Sequence, residues 1–205
     1  MEKLPQEKIR LNLMEKLTGL KKIKTAVFIS GTGSNLKNII RFSKTKKSPI
    51  SIDLIISNTN KAKGLRFADQ FNIKKKIFNF KNFKNIEKKI LVLLKKDKIK
   101  FICLAGFMKI LSKGFIKKFD EKIINIHPSL LPKYKGLNTH KRAIKNKDKF
   151  SGCTVHYVTA TLDSGKTILQ KKIKIGAKDN HASLAKKVLR LEHMLYPEAI
   201  MKIFN

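Results

Sequence analysis

Short runs of apolar residues alternate with amphipathic stretches along most of the chain, and this pattern predicts its secondary structure. The first run, Lys24–Ser30, is rich in apolar and β-branched residues and leads into a glycine turn followed by apolar positions at helical spacing. The same order of strand and helix recurs further along. Strands are predicted at Ile50–Ser57, Lys76–Phe78, Phe101–Ala105 and Lys122–Ile126, with helices near Gly64–Phe71, Phe83–Lys95 and Ser112–Phe119.

Alternating strands and helices predict an α/β fold with a mostly parallel, doubly wound sheet. The pattern changes later in the chain, where alternation of polar and apolar residues appears in Thr154–Val158 and again in Thr167–Ile175. We expect these two segments to add antiparallel strands. A final helix is predicted over His181–Ile203, interrupted or bent at Pro197 because proline lacks the backbone N–H donor.

The amino-terminal segment differs from the rest of the chain. Ile9, Leu13, Leu17 and Leu20 are spaced as on one face of a helix within a basic segment. We therefore predict a basic amphipathic extension at residues 1–22. Residues 23–205 are predicted to form a single domain, because no internal repeat, low-complexity linker or second boundary interrupts the pattern.

The net charge of +33 raises the question of nucleic-acid binding. The positive charge is nearly all lysine and is spread along the chain, whereas base and phosphate recognition favours clustered arginine. Lysine, isoleucine, asparagine and phenylalanine are enriched together, which is typical of an AT-rich genome. We expect no specific nucleic-acid partner, although the charge favours anionic substrates and salt-sensitive association.

Cysteine usage and hydropathy indicate the compartment. Cys103 and Cys153 lie far apart and no CxxC motif is present, which argues against a zinc site or a thiol-redox pair. No apolar run is long enough to span a bilayer, and the amino terminus lacks the apolar region of a signal peptide. These features predict a cytoplasmic protein with no membrane partner.

Gly31 and Gly33 follow the first predicted strand and open a helix, so their backbone N–H groups are candidates for cradling an anion. Leu36 occupies the position at which a dinucleotide fingerprint has its third glycine, so a phosphate monoester is a better ligand than a pyrophosphate. The alternative is a tight turn with a helix cap at Ser34.

Asn125 and His127 end another predicted strand and project to the same side of the sheet because they are two residues apart. Pro128 and Pro132 end the strand and fix the following turn. A rigid pair of hydrogen-bond donors at a strand end is a candidate for stabilising developing negative charge. The alternative is a capped strand end with a structurally satisfied histidine.

Other polar residues also have an ordinary structural interpretation. His156 fits a half-buried position in a strand, and Asp163-Ser164-Gly165 is a turn sequence. Glu192 and His193 on the final helix resemble an exposed pair. Met108, with the two apolar residues that follow Lys109, would normally belong to the core. None of these sites determines a function by itself.

Five motifs together resemble the phosphoribosylglycinamide formyltransferase family, the folate-dependent enzymes of purine biosynthesis. The resemblance covers roughly residues 23–203, and the motifs follow one another in the order and spacing of that family. They are Ser30-Gly-Thr-Gly-Ser-Asn-Leu36, Leu104-Ala-Gly-Phe-Met-Lys-Ile-Leu111, Ile124-Asn-Ile-His-Pro-Ser-Leu-Leu-Pro-Lys-Tyr134, Gly152-Cys-Thr-Val-His156 and Leu162-Asp-Ser-Gly165.

This resemblance implies a Rossmann-like fold that binds glycinamide ribonucleotide and 10-formyltetrahydrofolate as co-substrate, with no metal. It implies a cis peptide bond at Leu131–Pro132 and a monomer or weak homodimer. The catalytic set would be Asn125, His127 and Asp163, with His156 supporting it and Glu192 helping to hold the nucleotide. The phosphate would bind at Gly31, Thr32, Gly33, Ser34 and Asn35, and the folate at Met108, Lys109, Ile110, Leu111 and Val158.

Some positions depart from the family pattern, notably Leu189 near the expected substrate phosphate and Lys109 in place of a common arginine. Two related enzymes share the catalytic residues. Methionyl-tRNA formyltransferase needs a second, RNA-binding domain, and formyltetrahydrofolate hydrolase usually has an additional amino-terminal regulatory domain. A basic nucleic-acid-binding protein on a similar scaffold is the alternative from a different class.

Overall fold

The structure, a computed structural model, describes residues 22–79 and 83–204. The amphipathic extension predicted at residues 1–22 therefore lies almost entirely outside the described residues. The strands are β1 (Ile23–Ile29), β2 (Ile50–Ser57), β3 (Lys74–Ile77), β4 (Phe101–Leu104), β5 (Lys122–His127), β6 (Phe150–Tyr157) and β7 (Thr167–Lys174). The helices are α1 (Ser34–Ser43), α2 (Arg66–Gln70), α3 (Phe83–Lys96), α4 (Lys113–Phe119), α5 (Thr139–Lys145) and α6 (His181–Phe204), with a short 3₁₀ turn at Lys63–Leu65.

The seven strands form one sheet in the order β3-β2-β1-β4-β5-β6-β7. The pairings from β3 to β5 are parallel, and those of β5 with β6 and of β6 with β7 are antiparallel. This architecture confirms the predicted α/β class, including the antiparallel strands added by the later part of the chain.

The core lies on both faces of the sheet because the central strands are covered by helices on both sides. Along β1, Val27 and Ile29 belong to the cluster that includes α1 and α6, whereas Ala26 and Phe28 face the cluster with α3 and α4. The edge strand β3 is exposed along its whole length. Its three lysines discourage pairing with another sheet edge.

Three elements differ from the sequence-based prediction. Helix α5 was not predicted, since its buried residues are only Thr139 and Ala143, which give no apolar stripe. Strand β6 begins at Phe150, before the predicted alternation starts. Helix α6 continues through Pro197 without interruption, so of the two predicted outcomes, an interruption or a bend, the interruption does not occur.

The carboxyl ends of β1, β4 and β5 meet at one edge of the sheet, where hydrogen bonds join the segments that follow β1 and β4. The Ser30 backbone N–H donates to Gly106 (3.1 Å), and the Ser30 hydroxyl accepts from the Met108 N–H (2.7 Å). From the other direction, the buried Tyr196 hydroxyl of α6 donates to the carbonyl of Leu104 (2.9 Å). In open α/β sheets this edge is where ligands bind.

Candidate active site

A cavity of about 760 Å³ opens at this edge of the sheet. Its walls come from α1, the segments after β4 and β5, the end of β6 and helix α6. It brings together the catalytic residues implied by the resemblance and the predicted folate-binding residues, which are otherwise far apart in sequence. Among its lining residues are Asn35, Met108, Lys109, Ile110, Leu111, Asn125, His127, His156, Val158, Asp163 and Glu192.

Asn125 and His156 lie opposite each other on the antiparallel strands β5 and β6. The Nδ1–H of His156 donates to the carbonyl of Tyr157 (2.9 Å), which leaves Nε2 as the acceptor of the neutral ring. The Asn125 amide lies 3.3 Å from that Nε2 and donates one of its N–H bonds to it. His156 therefore orients the Asn125 amide and leaves its second N–H for a ligand in the cavity.

Both nitrogens of the buried His127 ring face acceptors. Nε2–H donates to the carbonyl of Tyr134 (2.8 Å), and Nδ1 lies 3.3 Å from the Asp163 carboxylate. Burial lowers the pKa of His127 below its usual 6.5, although the Tyr134 carbonyl and Asp163 act in the opposite direction. Only the protonated ring can donate to both of these acceptors, whereas burial favours the neutral ring.

Asp163 occupies a turn, as its sequence predicts, with a left-handed backbone conformation (φ 46°). Its carboxylate accepts from the Gly136 backbone N–H at 2.8 Å and lies 3.6 Å from His156 Nε2. Burial alone would raise the pKa of Asp163, but the protonated form of His156, the Gly136 N–H and the protonated form of His127 together lower it below its ordinary value. Asp163 is therefore ionised near neutral pH beside His127.

The glycine turn after β1 requires glycine for two reasons. Gly33 has φ 76°, and a Cβ there would lie 2.6 Å from the Cα of Gly64. Gly33 is also the amino-terminal cap of α1 and no side chain caps the helix, so Ser34 does not have the capping role considered from the sequence. Residues 31–34 do not line the large cavity, whereas Asn35 does.

Two cations next to this turn were not identified from the sequence. Phe67 lies within 3.4 Å of the position that a Cβ of Gly33 would take. Lys37 and Arg66 lie over its ring, at 5.4 Å and 4.9 Å from the centroid. They add positive charge beside the start of α1, where an anion is already favoured. Single cations on separate helices leave no motif in the sequence.

Glu192 is buried, so the interpretation of Glu192 and His193 as an exposed pair is wrong for the glutamate. It is only 7% exposed, and its Oε2 accepts from the Asn35 amide of α1 at 2.6 Å. Burial raises the pKa of Glu192 to about 7, and the bond from Asn35 partly opposes that rise. Packing of α6 against α1 brings this carboxyl into the cavity.

The opposite wall of the cavity is apolar and open to solvent. Met108 is 63% exposed and Ile110 is 57% exposed, whereas Leu111 is buried beneath them. The interpretation of Met108 and Ile110 as core residues is therefore wrong. Leu137 and Leu162, which were not predicted to line the site, are also exposed and line the same wall. Isolated leucines in loops carry no signal of this kind.

The turn after β5 has the cis peptide bond that the resemblance implies, at Leu131–Pro132. Pro132 is exposed and does not line the cavity, but its neighbours anchor the turn to β6. The Leu131 N–H donates to the Thr154 hydroxyl (3.1 Å), and that hydroxyl donates to the Ser129 carbonyl (2.7 Å). The turn thereby fixes the direction in which the chain leaves His127.

Two negative findings apply to residues 22–79 and 83–204. No group of three or more histidine, cysteine, aspartate or glutamate side chains is arranged to hold a metal ion. No helix in this part of the chain is both long and apolar enough to cross a membrane.

Comparison with curated proteins gives two kinds of relative. Phosphoribosylglycinamide formyltransferase of Haemophilus influenzae is 42% identical over 180 residues, which cover 86% of this chain and 85% of that protein. The trifunctional purine biosynthetic protein adenosine-3 of Homo sapiens is 40% identical over 186 residues, or 89% of this chain. The chain spans only 18% of the length of that trifunctional relative.

Solved structures and a family model agree with these relatives. The crystal structure of phosphoribosylglycinamide formyltransferase from Brucella melitensis superimposes with a TM-score of 0.85 at 40% identity, covering 89% of this chain and 96% of that one. The family model described as formyl transferase matches residues 23–200. The chain therefore belongs to the formyl transferase family.

Proposed function

We propose that this protein transfers the formyl group of 10-formyltetrahydrofolate to the amine of glycinamide ribonucleotide, a step of de novo purine biosynthesis. The observation that carries the proposal is one cavity with a polar wall, containing the half-buried Asn125 and the buried His127 and Asp163, and an exposed apolar wall containing Met108 and Ile110. The polar wall suits a reaction that develops charge, and the apolar wall suits a flat aromatic ring. The names of the relatives support the same activity.

The two substrates bind at different parts of the site, and the nucleotide phosphate lies at the start of α1, where Asn35 is the residue that also lines the cavity. The phosphate of the nucleotide binds the backbone N–H groups of Gly31–Asn35 at the start of α1, a favourable location for an anion. Glu192 accepts from a donor group of the nucleotide. The pterin lies between the apolar side chains and the backbone of the segment after β4, with Met108, Lys109, Ile110, Leu111 and Val158 as its neighbours.

Asn125 is the direct donor to the oxyanion. When the glycinamide nitrogen attacks the formyl carbon, the carbonyl oxygen becomes negatively charged. The second N–H of Asn125 donates to that oxygen, while His156 keeps the amide in its orientation through the 3.3 Å contact. A donor fixed before the reaction requires no reorganisation when the charge appears.

His127 and Asp163 receive the proton that the amine must lose. In the free protein Nε2–H of His127 is bound to Tyr134, so the neutral ring has an acceptor at Nδ1 beside the ionised Asp163. Transfer of the amine proton to Nδ1, through a water molecule, creates a positive imidazolium as the oxyanion forms. When the bond between the formyl carbon and N10 of the folate breaks, the same proton passes to N10.

A formyl-transfer assay tests the proposal. Release of tetrahydrofolate is followed with glycinamide ribonucleotide present and, in parallel, with no acceptor. Release that depends on the acceptor supports the transferase. Release at the same rate without it would indicate a hydrolase, and binding to duplex DNA without any release would favour the nucleic-acid alternative.

A further inference from the structure

Helices α1 and α6 are joined by two side-chain hydrogen bonds about one helical turn apart. Asn35 Nδ2 donates to Glu192 Oε2 at 2.6 Å, and Asn38 Nδ2 donates to the His193 backbone carbonyl at 2.6 Å. The two asparagines have the same chemistry and bond length. Only the first bond ends on an ionisable group that lines the cavity.

The Asn35 side chain is committed to Glu192. Its other polar atom, Oδ1, is buried and has no hydrogen-bond partner among the described residues. An unpaired buried acceptor costs about 1–3 kcal/mol. The single hydrogen bond to Glu192 must therefore offset this cost to keep the amide in its orientation. The side chain of Asn35 therefore binds Glu192, whereas the proposed phosphate site at the start of α1 consists of backbone N–H groups.

The surroundings of Glu192 explain why this bond matters. Cys153 on β6 and Tyr196 on α6 interact electrostatically with the carboxylate, and burial raises the pKa of both, to about 12 for Cys153, so both are neutral at physiological pH. In the part of the chain that the structure describes, Glu192 has no ion-pair partner, and Asn35 is the group that favours its ionised form.

We propose that Asn35 is a positioning residue that acts on the nucleotide substrate through Glu192. Its amide fixes Oε2 of the carboxylate, so that Oε1 accepts a hydrogen bond from a hydroxyl or amine donor of the nucleotide while the phosphate binds at the start of α1. The inference rests on the function proposed above. It gives the Asn35 side chain a role different from phosphate binding.

Three variants test the role: Asn35→Ala, Asn35→Asp and, as the matched control, Asn38→Ala. Asn35→Ala should reduce kcat/KM for the nucleotide about 10- to 100-fold, which corresponds to the loss of a hydrogen bond to a charged group. KM for the folate should not change. The acid limb of kcat/KM for the nucleotide should move to higher pH, because Glu192 loses the donor that lowers its pKa.

Asn35→Asp retains the side-chain size and should move the acid limb further in the same direction, because a second carboxylate beside Glu192 disfavours ionisation. Asn38→Ala removes the neighbouring bond between the same helices and should leave the acid limb unmoved. If Asn38→Ala reproduces the effects of Asn35→Ala, the bond only joins the helices and the positioning role is wrong. An unmoved limb in both Asn35 variants contradicts it equally.

A double-mutant cycle with Glu192→Gln provides the second test. Because Asn35 acts through Glu192, adding Asn35→Ala to Glu192→Gln should reduce nucleotide binding by less than threefold. Full additivity would overturn the proposal. Calorimetric binding of the nucleotide alone is used as the readout, since it remains measurable if wild-type protein shows no formyl transfer. In that event the proposed function fails, and the cycle still determines whether Asn35 acts through Glu192.

Discussion

The two walls of the cavity have opposite relations to solvent. On one wall, the polar residues His127, His156, Asp163 and Glu192 are buried. On the other, the apolar side chains of Met108 and Ile110 are more than half exposed. In most proteins polar side chains are exposed and large apolar side chains are buried, which is the reverse of this arrangement.

The difference shows which part of the site is complete before substrates arrive. The polar wall is held by hydrogen bonds to Tyr134, Gly136 and Tyr157, because buried polar groups without partners are costly. The apolar wall is unsatisfied until a ligand covers it. Chemistry is therefore preorganised on one side, and binding energy is available on the other.

The largest expected effect is on the polar wall, in Asp163→Asn. The variant should lower kcat by about 10²–10⁴, the usual contribution of general acid–base catalysis. Losing the carboxylate also removes an interaction that raises the pKa of His127, so the acid limb of kcat should move to lower pH. Rate and pH profile are measured together.

Asp148→Asn is the matched control for that experiment. Asp148 accepts from the Tyr134 hydroxyl at 2.8 Å in the same region but does not line the cavity. Its replacement should leave kcat within about threefold of wild type, since a charge outside the site makes little difference to the chemistry. A wild-type rate and profile in Asp163→Asn would mean that the proton follows another route.

Removing the oxyanion donor should have the next largest effect. Asn125→Ala should lower kcat by about 10²–10³ while the fold remains intact, since one preorganised donor is lost. Single-turnover rates, with circular dichroism as the check on folding, measure this directly. Turnover close to that of the wild type would show that Asn125 does not contact the developing charge.

The polar wall should also reduce stability, and Glu192→Gln measures by how much. A carboxyl whose pKa rises from 4.5 to about 7 on folding costs about 3 kcal/mol once it is ionised. Below about pH 4.5 the carboxyl is protonated in both the folded and the unfolded protein, so the wild type has its full stability. This stability is lost as pH rises through 7 and the buried carboxyl ionises. Urea unfolding should therefore show the variant to be more stable at pH 8, by up to about 3 kcal/mol, with little difference at pH 4.5. A less stable variant at pH 8 would contradict this.

The smallest effect is expected on the apolar wall. Ile110→Ala removes three carbon atoms, and about half of their surface is already covered in the free protein. Less apolar surface is then left for the folate to cover, so KM for the folate should rise about tenfold with little change in kcat. Val92→Ala is the control, because Val92 is 69% exposed on α3 but does not line the cavity. If kcat fell in Ile110→Ala while KM stayed constant, the division of roles between the walls would be wrong.

Features with local sequence signals were predicted well. The β-branched run before Gly31 predicts β1 and its turn, and the alternation over Thr167–Ile175 predicts the antiparallel strand β7. The two-residue spacing of Asn125 and His127 predicts that both project toward one site, and both line the cavity. In each case the backbone periodicity alone determines the side on which a side chain lies.

Features that depend on packing were not predicted by periodicity, and only the family resemblance placed Glu192, Met108 and Ile110 at the site. Burial of Glu192 requires α1 and α6 to pack together, and nothing in the sequence around a glutamate and a histidine indicates that contact. The exposure of Met108 and Ile110 requires a cavity in front of them, so an apolar segment was interpreted as core. Helix α5 escaped prediction because small buried residues have no apolar periodicity.

The contact between Gly33 and Gly64 makes two distant positions a single unit for protein engineering. A side chain at Gly64 would meet the Cα of Gly33 at 2.8 Å, just as one at Gly33 would meet Gly64. A library that randomises the anion turn must therefore keep both glycines fixed, or most of its members will lose the turn. Conversely, Gly64→Ala offers a way to distort the turn from behind without altering any residue that lines the cavity.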